Sequence, residues 1–458
     1  MRIKFLSVIV SFLLVSVATT SCLDNDNNIE YSPDAIIKAF EIDTIHGVTY
    51  NFTINQFGPD GTGEIYNQDS LPLGADTIIN RILITTLNTT SGIITSYNPV
   101  TKQDTILNIS DSLDLRNPIT IKVWSLEAWA NNGEGPIKQY SIKVNVHKQD
   151  PDSMQWVKMP AALPGSLTGQ QTAVLLKEGI TNSICVYTAN SAYKGTLSGN
   201  GSVTWNLISR GALPPTALTS LVNFKDVLYA TTGDGKVYQS TNGENWTEYI
   251  ALNGPNVLLL TAFPENSKNL NKKIVGIAGI VGGKFAITNA DATGWTVSAN
   301  EVPTVAANGS PAFPKLNNIS STVYLNPTNI QTAMIMGNNR NTSDTASIAW
   351  TTIDGMDWVA FPKSSNKTFC PDLINPSVIH YNNAFYAFGG PFSAFYKSIA
   401  GIAWHQADSK FWMPVEFKDR QEYSMVVDKD NYIWIMWSNG EVWRGRLNKL
   451  GFARQLLQ

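Results

Sequence analysis

Ser240-Thr241-Asn242-Gly243-Glu244-Asn245-Trp246 is a short polar turn closed by a tryptophan, and it comes back along the chain. Thr352-Ile353-Asp354-Gly355-Met356-Asp357-Trp358 repeats it closely, and Ser398-Ile399-Ala400-Gly401-Ile402-Ala403-Trp404 more loosely. A recurrence at a period of about 40–60 residues, among short strand-like segments, is the signature of radially stacked four-stranded blades. The register is clearest around the first copy, where Val227-Leu228-Tyr229-Ala230-Thr231-Thr232, a Gly233-Asp234-Gly235 turn and Lys236-Val237-Tyr238-Gln239-Ser240 lead into the Asn-Gly turn and Trp246. That is two hairpins in series, each with a turn sequence that admits left-handed backbone. The same register returns from Tyr386 to Trp404, and again where Tyr432-Ile433-Trp434-Ile435-Met436-Trp437 precedes Ser438-Asn439-Gly440. Weaker copies end at Trp205 and Trp295. Six blades are expected, and the long interval from Trp295 to Trp358 leaves room for a seventh. Trp156 precedes any complete copy, so it is expected in the outer strand of the last blade, pairing the two ends of the repeat region.

Composition agrees with an all-β chain. Of 458 residues, 43% are hydrophobic and only 15% charged, with the balance drawn from Asn, Thr, Ser and 33 Gly, which supply strands and turns. The length fits two or three folding units. A net charge of −3 provides no basic field to hold a phosphate backbone, which argues against nucleic acid as a partner.

Met1-Arg2-Ile3-Lys4 followed by an apolar run from Phe5 to Ala18 reads as a secretion signal, too short to span a bilayer. Its end, Thr19-Thr20-Ser21-Cys22, resembles the lipobox of bacterial lipoproteins, with Thr19 where Leu is commonest. The resemblance implies a signal peptide over 1–21 and lipidation of Cys22. Asp24-Asn25-Asp26-Asn27-Asn28 is similar to the acidic stretch that sends Bacteroidota lipoproteins to the cell surface. Residues 22–33 read as a flexible tether. Cys185 and Cys370 lie in different repeats and read as buried thiols rather than a disulfide.

From 34 to 148 the pattern has period two. Tyr50, Phe52 and Ile54 alternate with polar residues, as do Tyr140, Ile142, Val144 and Val146. Turn sequences at Pro59-Asp60-Gly61, Asn117-Pro118 and Asn131-Asn132-Gly133 separate the strands. Such a segment suits an immunoglobulin-like sandwich without the Cys…Trp…Cys core, with Trp124 and Trp129 as core aromatics. The polar link Lys148-Gln149-Asp150-Pro151-Asp152-Ser153 marks a boundary, and the propeller is expected over 153–458.

The recurring turn resembles the Asp-box, or BNR, repeat of sialidases, other glycosidases, sortilin-like receptors and photosystem-assembly propellers. In that family it sits between the third and fourth strands of a blade, away from the active face. The resemblance therefore implies structural roles for Ser240, Asn242, Gly243, Trp246, Thr352, Asp354, Gly355, Trp358, Ser398, Gly401 and Trp404. Turn chemistry agrees, since Ser and Asx side chains bond nearby backbone and a large aromatic fills the gap between blades.

Catalysis finds little foothold. A sialidase-like site needs three converging arginines and a Tyr–Glu pair, and the propeller region offers Arg210, Arg340, Arg420, Arg444, Arg446 and Arg454. Tyr423 beside Glu422 and Arg420 is the one suggestive cluster, and reads as a charged turn before a strand. The four histidines have no zinc-like spacing, so no metal is expected. Asp428-Lys429-Asp430-Asn431 reads as a turn rather than a calcium loop. No catalytic residue and no cofactor is assigned. Phe392, Phe411 and Trp412 stand outside the repeat and are candidates for ligand stacking.

The complete layout resembles lipoproteins of gut Bacteroidota that pair an immunoglobulin-like domain with an Asp-box propeller, a family without an established activity. The expected protein is a monomeric, outer-membrane, surface-exposed binding or scaffold lipoprotein that recognises glycan or an envelope protein. The alternative is an extracellular glycoside hydrolase of sialidase-like fold.

Overall fold

Alternating apolar residues and Gly-, Asn- and Asp-bearing turns dictate short antiparallel ladders, and the computed structural model consists mainly of these. It describes residues 30–98, 100–199, 201–270, 274–307, 310–340, 346–360 and 370–451. The signal segment, Cys22 and most of the tether lie outside the described residues. Two compact units divide between Asp150 and Pro151.

The first unit holds a six-stranded sheet in the order Phe52–Asn55, Gly63–Asn67, Ile137–Lys143, Ile119–Trp124, Ile94–Asn98, Gln103–Ile106. One pair in it, Gly63–Asn67 with Ile137–Lys143, is parallel. A second ladder joins Ile37–Ile42 to Ile84–Thr89. The two ladders share one core, in which Ile37, Phe40 and Leu87 meet Ile65, Ile121 and Tyr140. The aromatic centre is Tyr140, whose hydroxyl accepts from the Ile37 amide. Half-buried Trp124 is not part of this core, and neither is Trp129. It is 46% exposed on a short helix, Leu126–Ala130, and meets Trp124 edge to face. Ser125 caps that helix by accepting from the Ala128 amide at 2.9 Å.

The second unit contains six four-stranded antiparallel sheets among the described residues. Sheet one opens with Thr172–Glu178, sheet two with Ser220–Phe224, sheet three with Leu258–Phe263, sheet four with Ser320–Leu325, sheet five with Ile374–Tyr381 and sheet six with Tyr423–Val427. These opening strands lie side by side in succession from sheet one to sheet five, and that of sheet six lies beside that of sheet one. Sheet six takes its fourth strand from the start of the unit: Met154–Lys158 pairs with Val442–Leu447, with Trp156 opposite Gly445. Between Trp295 and Trp358 the described residues add only the strands of sheet four and a two-residue strand, Ala346–Ser347, paired with Cys370–Pro371.

Cohesion comes from cores shared by neighbouring sheets. Trp246 packs with Val174, Cys185 and Tyr187 of sheet one, and Trp358 with Leu258, Ala278 and Phe285 of sheet three. Cys185 and Cys370 are both free and buried in such cores. No helix among the described residues is long and apolar enough to cross a membrane.

Candidate functional site

The recurring turns use their polar atoms locally. Ser240 Oγ accepts from the Gly243 amide at 2.9 Å, Asn242 Oδ1 accepts from the amides of Glu244 and Asn245, and Trp246 Nε1 donates to the Gly243 carbonyl at 3.1 Å. Thr352, Asp354, Gly355 and Trp358 reproduce the same bonds. The third copy keeps the Ser398 and Trp404 bonds, while Ala400 occupies the Asx position. Gly243 has φ 79°, and a Cβ there would lie 2.8 Å from Cys185 Sγ of the neighbouring sheet. The turn thus needs glycine for backbone conformation and for close approach. With these groups so engaged, a ligand site has to be sought elsewhere.

Two concavities lie at opposite ends of the opening strands. The larger, about 830 Å³, gathers the far ends of these strands in sheets one and two and the Asp428–Tyr432 turn of sheet six. There Asp428 is engaged by its own turn: Oδ1 accepts from the amides of Asp430 and Tyr432, and Oδ2 from Trp434 Nε1. This bonding is that of an Asx turn. Among the described residues no group of acidic, His or Cys side chains is placed to hold a metal ion.

The smaller, about 480 Å³, is formed where the opening strands begin, with residues from sheets one, two, four, five and six. Its wall is mostly amides and hydroxyls: Gln170, Gln171, Asn318, Asn375, Ser377 and Ser424. A web of bonds fixes them. Asn318 Nδ2 donates to Asn375 Oδ1 at 3.0 Å, and the Asn375 amide donates to Asn338 Oδ1 at 2.9 Å. Tyr423 Oη donates to the Asn375 carbonyl at 2.7 Å and lies 2.7 Å from Ser377 Oγ. Burial pushes the Tyr423 hydroxyl well above the usual phenol range. Asn318 and Asn375 both take left-handed backbone, φ 54° and 48°, which Asn tolerates better than most residues. Ser424 Oγ lies 3.1 Å from Gln171 Oε1, while Gln171 Nε2 is buried without a partner.

The suggestive Arg420, Glu422 and Tyr423 cluster is not drawn together. Arg420 pairs with Glu441 at 2.8 Å, Glu422 is exposed, and Tyr423 serves the buried web. The other arginines are spent locally: Arg210 on the carbonyls of Thr188, Pro214 and Thr216, Arg340 on that of Phe313, Arg444 on that of Gly201 and Arg446 on that of Asp430. Arg454 lies outside the described residues.

Two of the stacking candidates are corrected by burial. Phe392 is 2% exposed and Phe411 7%, both inside the aromatic core of sheets five and six, with Phe411 stacked on Tyr386 at 4.1 Å. Aromatic packing between sheets outweighs solvent exposure for such rings. Trp412 is 41% exposed, and its carbonyl accepts from Trp156 Nε1, but it does not line this smaller cavity. Sequence reasoning missed the residues of the smaller cavity. Their available signal was amide pairs just before opening strands, Gln170-Gln171 and Asn317-Asn318.

Residues 150–455 match the family model described as the DUF6242 beta propeller domain, and residues 20–144 that of the Domain of unknown function (DUF6242) N-terminal domain. The chain belongs to the DUF6242 family. Its second unit is therefore a β-propeller domain. No curated protein matches the DUF6242 chain. Among solved structures it is similar to the extracellular domain of a one-component system from B. thetaiotaomicron, at 10% identity and a TM-score of 0.34, covering 64% of this chain and 40% of that one. It is also similar to an α-L-arabinofuranosidase from Fusarium graminearum, at 15% identity and a TM-score of 0.38, covering 65% of this chain and 98% of that one. The protein AofleA from Arthrobotrys oligospora matches at 12% identity and a TM-score of 0.37, covering 64% and 86%. The DUF6242 chain thus spans about two-fifths of the first of these proteins. Likenesses this distant leave ligand and activity to be read from the residues themselves.

Proposed function

We propose that this is a surface-displayed outer-membrane lipoprotein, anchored through Cys22, whose propeller is a recognition platform for a glycan or a partner protein. In this reading the N-terminal unit is an immunoglobulin-like spacer and the protein is a monomer. The leader and acidic stretch support the location. Six four-stranded sheets, the last completed by Met154–Lys158, support a six-bladed ring with Asp-box turns at its rim.

One observation carries the binding reading: the mouth cavity collects amides and hydroxyls from five sheets, with Glu422 as its one charged lining residue among those described. Paired carboxylates or converging guanidinium groups would be needed for sialidase-like or acid–base hydrolysis of a glycoside. Hydrogen-bonding groups that both donate and accept suit recognition. A glycan array and a protein pull-down with the chain, run beside a hydrolysis screen on glycosides, test the proposal. Retained ligand without turnover is expected, and hydrolysis of any glycoside would overturn it. Protease shaving of intact cells tests display, with complete protection arguing for the periplasmic face.

A further inference from the structure

We infer that the mouth cavity takes the uncharged end of a glycan, one or two sugar units deep, and that the Gln171 amide nitrogen is an anchoring donor. The inference rests on the reading of the propeller as a binding platform and narrows its ligand. Gln171 is 7% exposed, yet it lines the cavity. Its Oε1 accepts from Ser424 Oγ at 3.1 Å, which leaves the other end of the amide over. That end, Nε2, is buried without a hydrogen-bond partner. A buried donor without a partner is costly, and among the buried unpartnered side-chain atoms of the described residues this is the one that belongs to a residue lining the cavity.

Charge selects the ligand class. Acidic sugars are held by guanidinium or ammonium groups, whose forked or multiple donors match a carboxylate. No Lys, Arg or His lines this cavity among the described residues, and the Glu422 carboxylate stands there instead. Sugar hydroxyls both donate and accept, as side-chain amides and Ser hydroxyls do, so the two kinds of group are matched. Ala173, Leu221 and Met425 also line the cavity and add apolar surface that suits the C–H face of a ring. At about 480 Å³ the cavity falls toward the small end of ligand pockets, which suits a glycan end rather than a long chain.

The test titrates the full chain by calorimetry with neutral oligosaccharides and with their sialylated and uronic counterparts, and repeats the titration with Gln171→Met. Thermal melting of each variant is recorded alongside. Neutral glycans should bind and acidic ones should not, and Gln171→Met should weaken binding about tenfold with the fold retained. If Gln171→Met fails to fold, Leu221→Trp fills the cavity without touching the amide and should abolish binding. Binding of acidic glycans alone, or neutral binding unchanged by a folded Gln171→Met or by Leu221→Trp, would overturn the inference. Capture of a protein with no glycan bound overturns it too, while leaving the binding platform standing. Glycoside hydrolysis, or no ligand of either kind, removes both.

Discussion

Trp156 lies directly across from Gly445, so the first strand of the propeller domain is seated on its last complete strand. The fit is close: a Cβ on Gly445 would come within 2.5 Å of the indole ring. Trp205 lies across from Gly195 in sheet one in the same way, on a fourth strand that follows its own sheet in sequence. Gly445→Val should therefore wedge the closing strand off and cost about 1–3 kcal/mol, as overpacking does. Thermal melting would show the loss, and limited proteolysis should cut near the domain boundary. Gly195→Val should lower stability without exposing that boundary.

The closing strand is also held by charge. Lys158 first, then Arg420, hold the Glu441 carboxyl down at about 2, against an ordinary value of 4.5. Lys158 lies 2.5 Å away on the closing strand. A carboxyl depressed by folding contributes stability that is fully present above its unfolded value and lost as pH falls through its folded value. The window is thus about pH 4.5 down to 2. With Lys158 half exposed, the contribution is on the order of 1 kcal/mol. Glu441→Gln should flatten the fall of unfolding free energy across this window, measured by denaturant titration at a series of pH values.

Trp358→Ala should cost roughly 3–5 kcal/mol, the cavity and transfer loss for a buried aromatic. The ring packs against sheet three, so the loss falls on contacts between two sheets. Thr352→Ala should cost about 1 kcal/mol, because its Oγ1 accepts from the amides of Asp354 and Gly355. Equal melting temperatures for the two variants would contradict this ordering.

Phe392→Ala and Trp412→Ala should separate cleanly. Phe392 is buried among Phe388, Tyr423 and Trp437, so its loss should cost about 3–5 kcal/mol. Trp412 is partly in solvent, and its bond to Trp156 runs through the backbone carbonyl, so its truncation should stay within about 0.5 kcal/mol. Chemical denaturation of both variants is the check.

Neither Cys185 nor Cys370 should react with a thiol reagent in the native protein. Burial pushes the Cys185 thiol up to about 12 and that of Cys370 higher still. Labelling at both positions should appear only across the unfolding transition, and rapid native labelling would contradict the buried placement.

Local chemistry made much of this legible. The Ser240-to-Trp246 turn could be read because its bonds span three residues, and the pairing of the Trp156 strand with the last sheet because a lone strand before the first repeat needs a partner. Phe392 and Phe411 were misjudged for a corresponding reason: a loop-like sequence context does not reveal that aromatic rings from two sheets meet above it. Trp129 was misplaced because its fate depends on a one-turn helix that period-two reasoning passes over.

The sequence by itself determined the all-β class and the strand-and-turn repeat of a propeller domain, since periodicity and turn chemistry act over a few residues. Only the tertiary structure decided where Gln171, Asn318, Asn375 and Ser424 stand. They stand at the opening strands of four sheets and are up to some 250 positions apart in the chain. No local pattern encodes their meeting, because it is the side-by-side packing of opening strands that brings their ends to one mouth and leaves one amide nitrogen there unpaired.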